Sequence, residues 1–171
     1  MAPKKAQPTS KFSNAAKEPK NSSILDYVTI FFVFFGLAIS FYAIVVEYKA
    51  GLDSEYVALC DISSHISCTK VLTSEYGKIF SYLGLIPKDS PLNQPNTVYG
   101  ILFYIAFGVV YRYFRSFEWG KIVLLALTTL SMTLCAYLAY ILTVKLEDVC
   151  IVCYLTYVCN IVLFYSAIVN A

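Results

Sequence analysis

Residues 149–169 read VCIVCYLTYVCNIVLFYSAIV, an apolar stretch with two cysteines three positions apart near its start. As a helix rising about 1.5 Å per residue, this stretch spans a hydrocarbon core of about 30 Å. Because 58% of the 171 residues are hydrophobic, a membrane is the main solvent that the sequence indicates. Three more stretches share this apolar character, so an all-α bundle of four transmembrane helices is predicted: Ile24 to about Glu47, Thr97 to about Phe114, and about Lys121 to Val144.

The remaining segments are polar. Residues 1–23 contain five lysines and a single acid, Glu18, which predicts a disordered basic tail ahead of a membrane domain at residues 24–171. Residues 48–96 form a long loop broken by glycines and prolines. Within this loop, Cys68 to Gly84 keeps a helical spacing of apolar residues, which predicts a short amphipathic helix lying on the membrane surface.

Positive charge predicts the orientation of the helices. The tail and the link between helices 2 and 3 are basic, whereas the link between helices 3 and 4 has only Lys145. Basic segments remain in the cytosol, so both termini are expected there and the long loop on the lumenal side. The net charge of +2 gives no reason to invoke nucleic acid.

Cys150 and Cys153 form a CxxC pair at the start of helix 4. This spacing brings both sulfurs to one helix face, and the helix N-terminus favours the thiolate of the first cysteine. The pair therefore predicts redox chemistry, with a structural bridge or two small apolar residues as the alternative. A zinc site is not predicted, because such sites use about four ligands and the only histidine is His65.

The other four cysteines fall into two groups. Cys60 and Cys68 lie in the long loop, where a disulfide would either staple the loop or relay electrons to the CxxC pair. Cys135 and Cys159 lie within helices and are expected to be structural. Of the other polar loop residues, Asp61 is expected to tether the loop and His65 to be exposed.

Four motifs follow one another along the chain: Ala58-Leu59-Cys60-Asp61, Ile66-Ser67-Cys68, Leu92-Asn93-Gln94-Pro95-Asn96, and Cys150-Ile151-Val152-Cys153 followed by Thr156-Tyr157. In their order and spacing they resemble the vitamin K epoxide reductase family. The resemblance runs from helix 1 to the end of helix 4, and it departs from the vertebrate pattern at Ser63-Ser64-His65 and Leu72. These departures leave substrate preference and inhibitor sensitivity open.

The resemblance implies a multi-pass enzyme of the endoplasmic reticulum membrane that reduces vitamin K epoxide and quinone. It implies no tightly bound cofactor, only redox-active disulfides, a lipid-soluble quinone as substrate and a thioredoxin-like lumenal protein as electron donor. Cys153 would act on the substrate and Cys150 would exchange with the loop. In that exchange Cys68 would attack the helix disulfide and Cys60 would resolve the mixed disulfide.

The resemblance also implies substrate-binding residues. Asn96 and Tyr157 would hydrogen-bond the quinone oxygens, and Tyr99 and Phe103 would stack on its ring. Simpler interpretations are a helix N-cap for Asn96 and ordinary aromatic packing for the other three.

Two rival functions remain. A membrane protein that forms disulfides in lumenal partners and passes electrons to a quinone would use the same residues. A non-enzymatic four-helix protein with structural disulfides would not, but such a protein places its cysteines in the large loop rather than at a helix start.

Overall fold

The structure, a computed structural model, describes residues 21–53 and 55–170, and it is almost entirely helical there. No β-strand occurs in these residues, only two isolated bridges. The all-α class is therefore confirmed, while the predicted basic tail falls almost wholly outside the described residues. The elements are α1 (Asn21–Leu52), α2 (Cys68–Leu72), a 3-10 helix (Glu75–Lys78), α3 (Ile79–Tyr82), α4 (Asn96–Tyr113), α5 (Glu118–Tyr140), a π-helix (Ile141–Leu146) and α6 (Ile151–Val169).

Within the described residues, three helical segments are long and apolar enough to cross a membrane: Ile24–Leu52, Glu118–Leu146 and Ile151–Val169. Helix α4 is not among them, because its 18 residues include Arg112 and four tyrosines. The fourth predicted span is therefore not confirmed.

Helix α1 packs against both α4 and α6, and α5 packs against α6 and α4. Between α1 and α4, a Cβ added to Gly36 would lie 2.3 Å from the ring of Tyr104. In the same helix pair, a Cβ on Gly100 of α4 would lie 3.3 Å from Ser40 Oγ of α1. Small residues therefore permit close contact between these two helices.

The charge near the start of α1 is paired. Asp26 accepts hydrogen bonds from Arg115 and, at 2.6 Å, from the Tyr111 hydroxyl. In the same part of α1, Thr29 and Ser166 of α6 share a 2.7 Å hydroxyl hydrogen bond. These contacts satisfy polar groups within otherwise apolar helices.

The loop between α1 and α4 does not form the single amphipathic helix predicted for Cys68 to Gly84. Helix α2 begins after Ser67, whose side chain accepts from Lys70 N, and ends with Thr73 as its C-cap. Gly77 then packs so tightly that an added Cβ would lie 2.3 Å from the carbonyl oxygen of Leu72. The chain therefore turns back on itself after α2 instead of continuing the helix.

The turn before α6 sets the position of the CxxC pair. The π-helix ends at Glu147, which has a left-handed backbone with φ of 51°. Few non-glycine residues adopt this conformation. The reversal places Asp148 and Val149 beside the long loop and leaves Cys150 extended, directly before α6.

Candidate redox site

Cys150 and Cys153 lie where the sequence predicts, at the start of a helix. Cys150 is the N-cap of α6, and its Sγ accepts a hydrogen bond from the backbone N–H of Cys153 at 3.3 Å. Both residues are free thiols; Cys150 is fully buried and Cys153 is half-buried. The local geometry therefore leaves both sulfurs available for exchange.

The surroundings of Cys150 favour its thiolate. A hydrogen bond from the Cys153 side chain lowers the pKa of the Cys150 thiol, and the backbone N–H groups of Cys153 and Val152 act in the same direction. Burial and the charge of Asp61 oppose them with smaller effect. Cys150 is therefore the better nucleophile of the two for thiol exchange.

The loop cysteines form a disulfide. Cys60 and Cys68 are bonded with their Cα atoms 5.8 Å apart, and both are buried. The Tyr42 hydroxyl of α1 approaches Cys60 Sγ at 3.7 Å. The bonded pair confirms the expected bridge, which closes the loop on itself beside Tyr42 of α1.

Asp61 tethers the loop around this disulfide. Its carboxylate accepts from Ala58 N at 2.8 Å, Ser67 Oγ at 2.9 Å, Thr69 N at 3.0 Å and Thr69 Oγ1 at 2.5 Å. Burial acts to raise the pKa of Asp61, but the hydrogen bonds from Thr69, Ala58 and Ser67 together outweigh it and lower the pKa to about 2. The expected tethering role is thus confirmed.

The loop is docked on the start of α6. Val149 N donates to His65 O at 2.8 Å, and Ser67 N donates to Val149 O at 3.1 Å. Beside them, Lys70 Nζ lies 2.5 Å from the buried carboxylate of Asp148. The His65 side chain is exposed, as expected, so only its backbone takes part. This docking brings the loop disulfide and Cys150 into one hydrophobic cluster.

An apolar cavity of about 430 Å³ opens beside Cys153. Its walls come from α1, α4, α5 and α6, and the loop helices cover one side. A mostly apolar cavity with a few polar groups is typical of a site for a small apolar ligand. All four predicted substrate residues line it: Asn96, Tyr99, Phe103 and Tyr157.

Asn96 does not cap α4, so that sequence interpretation is wrong. The N-cap is Pro95, and Asn96 is the first residue of the helix. Its Oδ1 accepts from Ile79 N at 2.9 Å, and its Nδ2 donates to Tyr76 O at 2.7 Å. The amide bonds to these backbone atoms because the junction of the 3-10 helix and α3 packs beside the start of α4. Asn96 therefore holds the loop helices against the cavity.

The three aromatic residues have different partners. Tyr99 donates its hydroxyl hydrogen bond to Leu92 O, and its ring meets Phe80 edge-on with centroids 4.6 Å apart. Phe103 packs against Tyr104 at 5.2 Å. Tyr157 is half-buried on the α6 wall. Aromatic packing is thus present at Tyr99 and Phe103, while stacking on a ligand stays a prediction.

Glu47 is a cavity residue that sequence reasoning missed. It was treated as the boundary of helix 1, but α1 continues to Leu52 and places the Glu47 side chain in the cavity wall. Thr97 Oγ1 donates to Glu47 Oε2 at 2.6 Å. The sequence does contain a signal for Glu47, because an ionisable residue within a membrane helix is itself an indication of a functional site.

The remaining cysteines do not join the redox pairs. Cys159 is fully buried, and Cys135 Sγ lies 3.0 Å from Asn160 Nδ2 in the bundle interior. Across residues 21–53 and 55–170, the one group of potential metal ligands is Cys60, Asp61 and Cys68. Its two sulfurs are bonded to each other, so this group does not offer two thiolates to a metal.

A dithiol at a helix start, docked against a second cysteine pair and open to an apolar cavity, is the arrangement expected of a membrane-bound thiol oxidoreductase. Comparison with known proteins agrees. A family model described as the vitamin K epoxide reductase family matches residues 27–168. The chain therefore belongs to the vitamin K epoxide reductase family, and membership supports an oxidoreductase.

Two curated relatives show the extent of the similarity. Vitamin K epoxide reductase complex subunit 1 of Mus musculus is 39% identical over 127 residues, which cover 74% of this chain and 78% of that protein. The protein of the same name from Rattus norvegicus is 37% identical over 126 residues, covering 73% and 77%. The matches thus extend over most of both proteins.

Proposed function

We propose that this chain is an enzyme of the endoplasmic reticulum membrane that uses a dithiol to reduce vitamin K 2,3-epoxide and vitamin K quinone to the hydroquinone. The observation that carries the proposal is the free Cys150 and Cys153 pair beside an apolar cavity of about 430 Å³. The names of the mouse and rat relatives supply the substrate class. A cavity of this volume is within the usual range for small apolar ligands, about 300 to 1,000 Å³.

Electrons enter through the loop and leave through the helix. A thioredoxin-like lumenal dithiol reduces the Cys60–Cys68 disulfide and is itself oxidised to a disulfide. The Cys68 thiolate then attacks an oxidised Cys150–Cys153 pair at Cys150, and Cys60 resolves the mixed disulfide. The docking of residues 65–67 on Val149 supports this path because it holds the two pairs in one cluster.

The reduced helix pair then acts on the substrate. The Cys153 sulfur adds to the quinone or epoxide. The Cys150 sulfur then attacks the Cys153 sulfur, which forms the S–S bond and releases the reduced substrate. Two thiols lose two electrons and two protons, and a quinone gains the same to become a hydroquinone; from the epoxide, the same exchange gives the quinone and water. Asn96 and Tyr157 bind the substrate oxygens, while Tyr99 and Phe103 contact the ring. No tightly bound cofactor is needed for this chemistry.

The proposed topology places both termini in the cytosol and α4 across the membrane as the fourth span. Residues 24–171 then form one membrane domain, residues 1–23 a cytosolic basic tail and the loop of residues 48–96 the lumenal face. The charge distribution supports this orientation, because Arg112, Arg115 and Lys121 flank the link between α4 and α5. The segment Cys68 to Tyr82 would lie along the membrane surface.

The test is epoxide and quinone turnover in microsomes that carry Cys153→Ala, with a small dithiol as reductant. Loss of the nucleophile should lower turnover at least about 1,000-fold. Cys159→Ala, which removes a buried cysteine from the same helix, is the matched control and should keep most of the activity. Turnover that persists in Cys153→Ala would contradict the mechanism and favour a non-enzymatic membrane protein. Oxidation of lumenal protein thiols without epoxide turnover would instead favour the disulfide-forming function.

A further inference from the structure

Among the described residues that line the cavity, Glu47 has the only carboxyl group. Its Oε2 accepts the Thr97 hydroxyl hydrogen bond at 2.6 Å. Its Oε1 is buried and has no hydrogen-bond partner within the described residues. The wall of the proposed substrate cavity thus contains a buried carboxyl oxygen without a hydrogen-bond partner.

An unused polar atom in an apolar cavity costs free energy, because the group has lost its water without gaining a full set of partners. Packing alone does not explain such a residue, since an apolar side chain would fill the same wall more favourably. A ligand oxygen or hydroxyl in the cavity would complete the hydrogen bonding of Glu47. The open Oε1 therefore indicates a group that serves the ligand.

Cys153, the thiol proposed to act on the substrate, lines the same cavity as Glu47. Lys78 is exposed on the 3-10 helix, and within the described residues no ion pair joins it to Glu47. The free carboxyl oxygen and the acting thiol therefore belong to one cavity wall.

We propose that Glu47 is the proton-transfer residue of the reduction, which rests on the function proposed above. The Glu47 carboxyl donates its proton to a quinone oxygen, and the resulting carboxylate takes the proton that the Cys153 thiol gives up. The thiols supply both electrons as their S–S bond forms. The proton lost by Cys150 balances the one gained by the second quinone oxygen, so no outside acid is consumed.

The experiment compares Glu47→Gln, Glu47→Asp and Glu47→Ala in the full-length chain, by quinone turnover in microsomes with a small dithiol. Glu47→Gln should lower kcat about 100-fold, the usual scale of a lost acid–base group, and leave KM within about threefold. Glu47→Asp should keep part of the activity, and added formate should restore part of the activity of Glu47→Ala. Glu55→Gln, an exposed loop acid, is the matched control and should match the parent chain.

The structural alternative is that Glu47 only accepts the Thr97 hydrogen bond that joins α1 to α4. In that case Thr97→Val would reproduce the loss, and formate would not rescue Glu47→Ala. Either result, or a Glu47→Gln variant that keeps at least half of the parent kcat, overturns the proposal. The failure of the underlying function looks different, because the parent chain itself would then show no turnover or Cys153→Ala would retain it.

Discussion

The two cysteine pairs share one hydrophobic cluster but differ in what holds them. Cys60 and Cys68 are bonded in a loop that is fixed by the carboxylate of Asp61. Cys150 and Cys153 are free at the start of α6, where a helix N-terminus meets an apolar cavity. One pair is surrounded by polar tethers and the other by an apolar wall.

Under the proposed function, the surroundings of each cysteine pair match the kind of partner with which that pair would react. Polar tethers suit a pair that must meet a water-soluble partner, because they hold the loop in shape at an aqueous face. An apolar wall suits a pair that must meet a lipid-soluble substrate and exclude water. The backbone bonds of Val149 to His65 and Ser67 join the two environments.

Beyond the helix pair and Glu47, the largest expected effect comes from removing the loop pair, with Cys60→Ser and Cys68→Ser in one chain. With a thioredoxin-like protein as donor, turnover should fall at least about 50-fold, because electrons reach the helix pair through the loop. With a small dithiol that enters the site directly, the loss should be far smaller. Turnover with both donors is the measurement, and an equal loss with each would show that the loop disulfide is only structural.

A smaller effect is expected at the cavity wall from Asn96→Ala. The change removes hydrogen bonds to Ile79 N and Tyr76 O and the proposed bond to the substrate. At about 1 kcal/mol for the lost bond to the substrate, KM should rise about fivefold, while the two lost backbone contacts loosen the loop beside the cavity. Gln94→Ala, in the same segment but exposed, is the control. An unchanged KM in Asn96→Ala would remove Asn96 from the substrate site.

The smallest effect concerns the loop at low pH. Hydrogen bonds in the folded loop lower the pKa of Asp61 from 3.8 to about 2, so its stabilisation is present above pH 3.8 and is lost as the pH falls towards 2. Reduction of the Cys60–Cys68 disulfide by a phosphine should therefore speed up a few-fold across this range.

Asp61→Asn is the matched variant for this pH series. It lacks the titrating group, so its disulfide should be reduced faster above pH 4 and show no step on acidification. A step of the same size in the variant would assign the pH dependence to another group.

Much of this organisation was predictable because it depends on local spacing. Long apolar runs predict helices in a membrane, and the two-residue gap in CxxC keeps the two cysteines close together even though α6 begins after Cys150. The Cys60–Cys68 bridge and the tethering role of Asp61 were predicted as well, since both concern neighbours within one loop. The motif order indicated the family before any geometry was known.

Predictions were less accurate where the structure depends on contacts that spacing along the chain does not encode. Asn96 was interpreted as a cap from its position before an apolar run, yet its side chain bonds to a turn 17 and 20 residues earlier in the chain. The segment Cys68 to Gly84 has helical spacing, but the close packing of Gly77 against Leu72 breaks it into short pieces. Neither contact can be predicted from the spacing of apolar residues along the chain.

By itself, the sequence determined the helical class, the membrane character, the family and the cysteines at which thiol chemistry is possible. The class and membrane character follow from composition, the reactive cysteines from spacings shorter than one helical turn or one loop, and the family from the resemblance of four motifs in order. The tertiary structure alone decided what surrounds the reactive pair: the cavity wall, the docking of the loop on Val149 and the buried carboxyl oxygen of Glu47. The physical reason is that α1, α4, α5 and α6 contribute residues from distant parts of the chain, and only their packing brings Glu47 and Cys153 into the wall of one cavity.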